Sequence, residues 1–192
     1  MQIKTIINEE INYLTKAIKD GKNPYHMFSL ATIDNNKAEA RTVVLREVDT
    51  IPLKIYFNAD YRSPKVAQLN DNPLCSALFY DIERRIQLRL SCLAIIHYNS
   101  KISKKIWDKT ALQSKKCYMG SYAPSTRLED WDPNIPLKYL KKDPELEDSK
   151  KGYKNFAHIE LEIIDLEVLQ LRHDGHIRCG FNNKKEYFFI SP

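Results

Sequence analysis

The run AHIELEI, residues 157–163, is the feature that most restricts what this chain can fold into. Ala157, Ile159, Leu161 and Ile163 alternate with His158, Glu160 and Glu162. A period of two lines one face of a strand, whereas a helix of 3.6 residues per turn would scatter the same residues around its circumference. The run therefore predicts a strand with one covered and one half-exposed face. Comparable segments recur along the chain: MFSLATI (27–33), the stretch 38–46, the stretch 53–58, LCSALFYD (74–81), RRIQLRLSCLAIIHY (84–98), IRCGF (177–181) and EYFFI (186–190). Turn formers separate them, with Asp34, Asn35 and Asn36 closing a first hairpin, residues 82–84 a second and Asp174-Gly175 a third. Hairpins without βαβ alternation predict a mainly β architecture, an antiparallel barrel with helices packed outside.

Helical signals are fewer. Ile3, Ile7, Ile11, Leu14 and Ile18 recur at helical spacing, and Gly21 stands where a C-terminal cap belongs. In RSPKVAQLNDNP, Ser63 suits an N-cap, Pro64 the first helical position, and residues 66–69 a short helix ended by Asn72 and Pro73. Ser63 and Lys65 would then sit at a helix N-terminus, a natural anion site. Ile102, Ile106 and Leu112 among lysines predict a helix over 101–116. From 117 to 155 the pattern lapses into a long excursion with a short helix near 143–152, a length of loop that is often functional.

At 192 residues the chain is expected to form one domain, residues 1–192. Cys75, Cys92, Cys117 and Cys179 show no CxxC pair and no metal-ligand spacing, which predicts reduced thiols in a cytoplasmic protein without a metal. The N-terminal segment has acidic residues in its middle and no continuous apolar run, so neither a signal peptide nor a membrane span is expected. The net charge of +5 is compatible with a phosphorylated small molecule or nucleic acid and demands neither; no nucleic-acid partner is assigned, and a nucleic-acid binder would show steeply salt-dependent binding.

Chemistry concentrates on strand ends. ARTVVLR, residues 40–46, reads as buried strand, yet alternation places Arg41 with Val43 and Leu45 on one face and Arg46 with Thr42 and Val44 on the other. Guanidinium groups are seldom buried without a partner. NADYRSPK, RRIQLRL and LRHDGHIR repeat this mixture of cations and polar side chains. Brought to one barrel mouth, Arg41, Arg46, Arg62, Lys65, Gln87 and Arg178 would make an anion and heterocycle site; left apart, they are exposed strand arginines facing solvent.

The segments ARTVVLR, RSPK, NPLCSALFYD, RIQLRL, KKCYMGSYAPST and NFAHIELEIIDLEVLQLRHDGHIRCGF, in this order over nearly the whole chain, resemble the pyridoxamine 5′-phosphate oxidase-like, FMN-binding split-barrel family. The likeness is to its uncharacterised FMN-binding branch rather than to the oxidase itself. It implies a six-stranded antiparallel split barrel, a homodimer with FMN at the subunit interface. It further implies that Arg41 and Lys65 hold the FMN phosphate, with Ser63 beside them and Arg62 standing in for a basic residue that the oxidase has where this chain has Pro64. Thr42, Val43, Val44 and Leu45 would contact the cofactor edge, and Arg46 and Gln87 the polar atoms of the ring. Asn58 and Ala59 match the strand end that touches the cofactor, Ser125 a polar loop residue, and Arg178 an arginine near the C-terminus. An aliphatic residue, Val168 or Leu169, replaces the tryptophan expected near the flavin. Ile106 and Thr110 fall where the oxidase grips its substrate phosphate with tyrosine and arginine, which implies a different substrate.

The resulting expectation is an FMN-dependent oxidoreductase acting on a small molecule, in which the flavin carries the redox chemistry and no protein nucleophile or general base is assigned. A flavin- or haem-binding carrier or sensor without turnover is the alternative. His173 and His176 flank a hairpin tip and lack a third metal ligand at suitable spacing. The lysines at 101, 104, 105, 109, 115 and 116 read as a solvated helix face, and Trp107 and Trp131 as packing residues of a core or dimer interface.

Overall fold

The structure, a computed structural model, describes residues 2–192. Two compact units emerge from it. One comprises the chain up to Phe57 with Asp71–Ile95 and Glu160–Pro192, the other Asn58–Asn70 and Ile96–Ile159. In chain order the regular elements are α1 (Ile3–Ala17), β1 (Met27–Asp34), β2 (Lys37–Val44), β3 (Glu47–Thr50), β4 (Leu53–Asp60), α2 (Pro64–Asp71), β5 (Leu74–Asp81), β6 (Ile86–Tyr98), α3 (Lys101–Lys109), α4 (Leu112–Lys115), α5 (Leu146–Ser149), β7 (Phe156–Gln170), β8 (Ile177–Phe181) and β9 (Tyr187–Phe189).

The first unit is built on an antiparallel sheet in the order β2-β1-β5-β6-β7-β4-β3, with β8 paired to β7 and β9 to β8. The mainly β class holds, but the described residues form nine strands where six were expected. One departure is β3, a four-residue partner of β4, whereas β9 is a three-residue strand inside the segment expected at 186–190. β3 has no apolar period to announce it, because Val48 is its one half-covered residue.

Alternation decides the core. Phe28 and Leu30 of β1, Ala77 and Phe79 of β5, and Leu88 and Leu90 of β6 point inward and are buried. Phe79 packs against Phe28 at 4.8 Å and against Tyr25 at 5.5 Å between ring centroids. Helix α1 adds Ile6, Ile7, Leu14 and Ala17, and also one buried carboxylate, Glu10. Glu10 accepts two hydrogen bonds from the Arg84 guanidinium, at 2.9 and 3.0 Å, and one from the Tyr25 hydroxyl at 2.7 Å. Arg84 in turn donates to Asp81 and lies 3.6 Å over the Tyr13 ring. This cluster ties the helix to the β5–β6 turn, and burial together with the Glu10 carboxylate pushes the Tyr25 phenol far above its usual range.

The second unit is helical and irregular around a small aromatic core. Trp107 contacts Tyr118, Tyr153 and Phe156 at centroid distances of 5.8, 6.0 and 5.2 Å. Helix α3 starts on a reciprocal capping box between Ser100 and Ser103. The helix expected over 101–116 is broken at Thr110, whose ψ of 134° is extended and whose N–H returns to the Trp107 carbonyl. α4 resumes in a new phase, and Lys115 is consequently buried rather than part of a solvated face. The helix foreseen near 143–152 is a single α turn, α5, followed by 3₁₀ turns over Lys150–Asn155.

The opening run of β7 also departs from expectation, since Phe156 to Leu161 are buried on both faces. The polar residues there have partners within their own units. Lys54 pairs with Glu160 in the first unit, and in the second His158 Nδ1 lies 2.8 Å from Asn58 Oδ1.

Candidate functional site

In the first unit, the alternation expected of ARTVVLR holds through Val44, where β2 ends. Arg41 sits opposite Leu30 on the inward side, with Val43 and Leu45 buried on the same side. Its guanidinium donates to the Leu30 carbonyl at 3.2 Å and to Thr32 Oγ1 at 2.5 Å. Partial burial lowers the Arg41 pKa, opposed by nearby Glu39, and leaves the group charged. Thr42 is exposed and Val44 half-buried on the other side, and Arg46, beyond the end of β2, is exposed with its N–H donating to the Tyr56 carbonyl.

Gln87, Leu169 and Arg178 lie on the outward side of the same sheet, alternate to the buried Ile86, Leu88, Val168 and Cys179. Leu169 and Arg178 are direct cross-strand partners. Of the two aliphatics at the missing tryptophan, Val168 is wholly buried and Leu169 is the one on this side. Arg178 is held by Glu167, which accepts from it at 2.6 Å and from Arg89 at 2.7 Å. Partial burial acts to raise the Glu167 pKa, and the two guanidinium bonds outweigh it and hold the carboxylate below its usual range. Glu167 and Arg89 were not anticipated as a clamp on Arg178; their contact joins residues 78 apart, beyond local sequence signals.

In the second unit, Asn58 and the buried Ala59 end β4, and Asn58 is fixed by His158. Arg62 is fully engaged: Asp60 accepts from its Nε at 3.0 Å and its Nη2 at 2.7 Å, and the Ser121 carbonyl accepts from Nη1 at 3.1 Å. The bonds it donates to Asp60 raise the Arg62 pKa. A carboxylate two residues upstream was a local signal for this pairing. Ser125 is exposed in a left-handed backbone conformation, φ 69°.

Ser63 is the exception among these side chains. The residue is 1% exposed, and its Oγ has no hydrogen-bond partner among the described residues. The side-chain cap expected from the sequence is therefore not made; the backbone carbonyl of Ser63 instead accepts the first helical bond of α2, from Val66 N at 3.0 Å. A buried hydroxyl without a partner costs about 1–3 kcal/mol. It stands here at the N-terminus of an eight-residue helix, where the macrodipole is positive, with half-buried Lys65 two positions on. That set of donors fits a phosphate group.

The fold is that of the pyridoxamine 5′-phosphate oxidase-like split barrels. Three solved structures carry it at low identity. An FMN-binding protein related to pyridoxamine 5′-phosphate oxidase from Nostoc punctiforme superposes with a TM-score of 0.74 at 18% identity, covering 96% of each chain. PhzG from Burkholderia lata, solved in complex with tetrahydrophenazine-1-carboxylic acid, gives 0.69 at 16% identity over 97% of this chain and 92% of its own. A protein from Listeria innocua described as a pyridoxamine 5′-phosphate oxidase gives 0.52 at 14% over 85% and 97%. No curated protein matches the chain. Residues 9–98 match the family model of the pyridoxamine 5′-phosphate oxidase, FMN-binding domain, the family that the sequence motifs resemble. FMN is the cofactor of this family.

Proposed function

We propose that the chain is a cytoplasmic FMN-dependent oxidoreductase, related to pyridoxamine 5′-phosphate oxidase and acting on a different small molecule. The observation that carries the reading is the buried, partnerless hydroxyl of Ser63 at the start of α2. Ser63 and Lys65 are assigned to the phosphate of FMN, together with Arg41 as the family resemblance implies. Such charge-assisted bonds contribute about 1.5–3 kcal/mol each. FMN supplies two-electron redox chemistry when bound, and the chain's part is to hold and orient it. Gln87, Leu169 and Arg178 are assigned to the ring by the same resemblance, with Glu167 positioning the Arg178 guanidinium. The substrate lies outside the oxidase's own class because Ile106 and Thr110 offer no phosphate grip.

We assign a homodimer to the outward face of the β2-β1-β5-β6 sheet. Met27 of β1 and Leu74, Leu78 and Tyr80 of β5 are exposed there at 53, 53, 39 and 45%, with Leu78 set between Ser29 and Arg89 and Tyr80 opposite Gln87. Exposed large apolar side chains gathered on one sheet face and rimmed by polar ones mark an interaction surface.

The test is retention of FMN after reconstitution and gel filtration, read by flavin absorbance. Arg41→Ala and Lys65→Ala should each lose flavin, Lys104→Ala should keep it, and the holoprotein should bleach with an added reductant. Equal retention in all three variants, or no flavin uptake at all, would overturn the assignment.

A further inference from the structure

We propose that the second unit contains a binding pocket for a small aromatic monocarboxylate, with Lys115 as the group that receives the carboxylate. Lys115, the last residue of α4, is 3% exposed. Lysine is almost never this buried without a counter-charge. Among the described residues its ammonium has no hydrogen-bond or ion-pair partner and lies over the indole of Trp107, 5.2 Å from the ring centroid. It borders a cavity of about 550 Å³ whose walls include Trp107, Tyr153, Leu146, Lys104 and Lys150. That volume lies within the range of small-molecule sites.

The neighbouring groups select the class of ligand. Asp108 neutralises Lys104, at 2.6 Å, and Glu147 neutralises Lys150, also at 2.6 Å. Of the three lysines at the cavity, Lys115 alone lacks a carboxylate, so one positive charge is left to be matched. The hydroxyls are already committed: Tyr153 to Ser103 and the Ser100 carbonyl, Ser149 to the Leu146 carbonyl. A phosphate dianion would bring two charges and three oxygens to a single uncommitted cation. A carboxylate brings one charge. The indole, the Tyr153 ring and the 59%-exposed Leu146 form apolar walls for a flat ring. No residue assigned to FMN lines this cavity.

Benzoate is a suitable probe, with benzamide as its neutral isostere and inorganic phosphate as the competing anion. Trp131→Phe leaves Trp107 as the single tryptophan, so its emission can follow titrations of the full chain. Benzoate should saturate the signal, benzamide should bind at least about tenfold more weakly, phosphate should not displace benzoate, and Lys115→Met should lose benzoate about tenfold or more while retaining FMN. The proposal is overturned if nothing saturates, if benzamide matches benzoate, if phosphate displaces benzoate at equal concentration, or if a folded Lys115→Met binds as before. Should Lys115→Met fail to fold by circular dichroism, the comparison of benzoate with benzamide on the Trp131→Phe chain decides alone. FMN retention in the same samples reports separately on the cofactor assignment.

Discussion

Ser63→Ala should change stability and cofactor affinity in opposite directions. The Ser63 hydroxyl is buried with no partner in the free chain. Removing it relieves a desolvation cost of about 1–3 kcal/mol, less a small loss of packing around one missing oxygen. A net gain of about 1 kcal/mol should raise the apoprotein melting temperature by about 2–4 °C for a chain of this size. In the FMN complex the same hydroxyl would donate to a phosphate oxygen, and its loss should remove about 1.5–3 kcal/mol of binding. The dissociation constant would then rise about ten- to a hundredfold. Differential scanning fluorimetry of the apoprotein and flavin-fluorescence titration with FMN read the two quantities on one preparation. A fall in apoprotein melting temperature, or an unchanged FMN affinity, would refute the reasoning, because either result means the hydroxyl has a partner other than the phosphate.

Glu10→Ala should cost about 3–5 kcal/mol in urea unfolding by leaving Arg84 and Tyr25 without their buried acceptor; a cost below about 1 kcal/mol would contradict the clamp. Asp81 and Glu167 both have pKa values lowered below the usual carboxylate range; burial opposes the shift in each, and Arg84 or the Arg89–Arg178 pair outweighs it. A depressed carboxylate contributes stability that is complete above its unfolded pKa, about 4, and is lost as pH falls through the folded value. Stability should therefore decline below about pH 4, and Glu167→Gln should flatten that decline; an identical acid profile in the variant would count against it. Leu78→Asp, on the exposed sheet face, should yield monomers in sedimentation velocity, whereas dimers of unchanged affinity would place the interface elsewhere.

Much of the fold was legible because it rests on local periodicity. The inward residues Phe28, Leu30, Phe79, Leu88 and Leu90 stand where alternation puts them, and α1 buries the stripe Ile7 and Leu14 that its spacing marks. The inward position of Arg41 follows from the same parity, whereas β2 ends at Val44 and parity does not reach Arg46. The family motifs likewise carried the cofactor class. What was not legible depends on partners distant in the chain or on a change of helical phase. Glu160 read as half exposed until Lys54, 106 residues away, covered it. Lys115 read as solvated because the break at Thr110 has no proline or glycine to announce it. Ser63 had the right residue type for a cap, yet its hydroxyl is left without the backbone bond a cap makes. Sequence by itself determined which side of each strand is apolar, because side-chain direction alternates with residue number. Only the tertiary structure decided which polar groups are satisfied, because a hydrogen bond needs its partner within about 3 Å, and that proximity is a property of the folded chain alone.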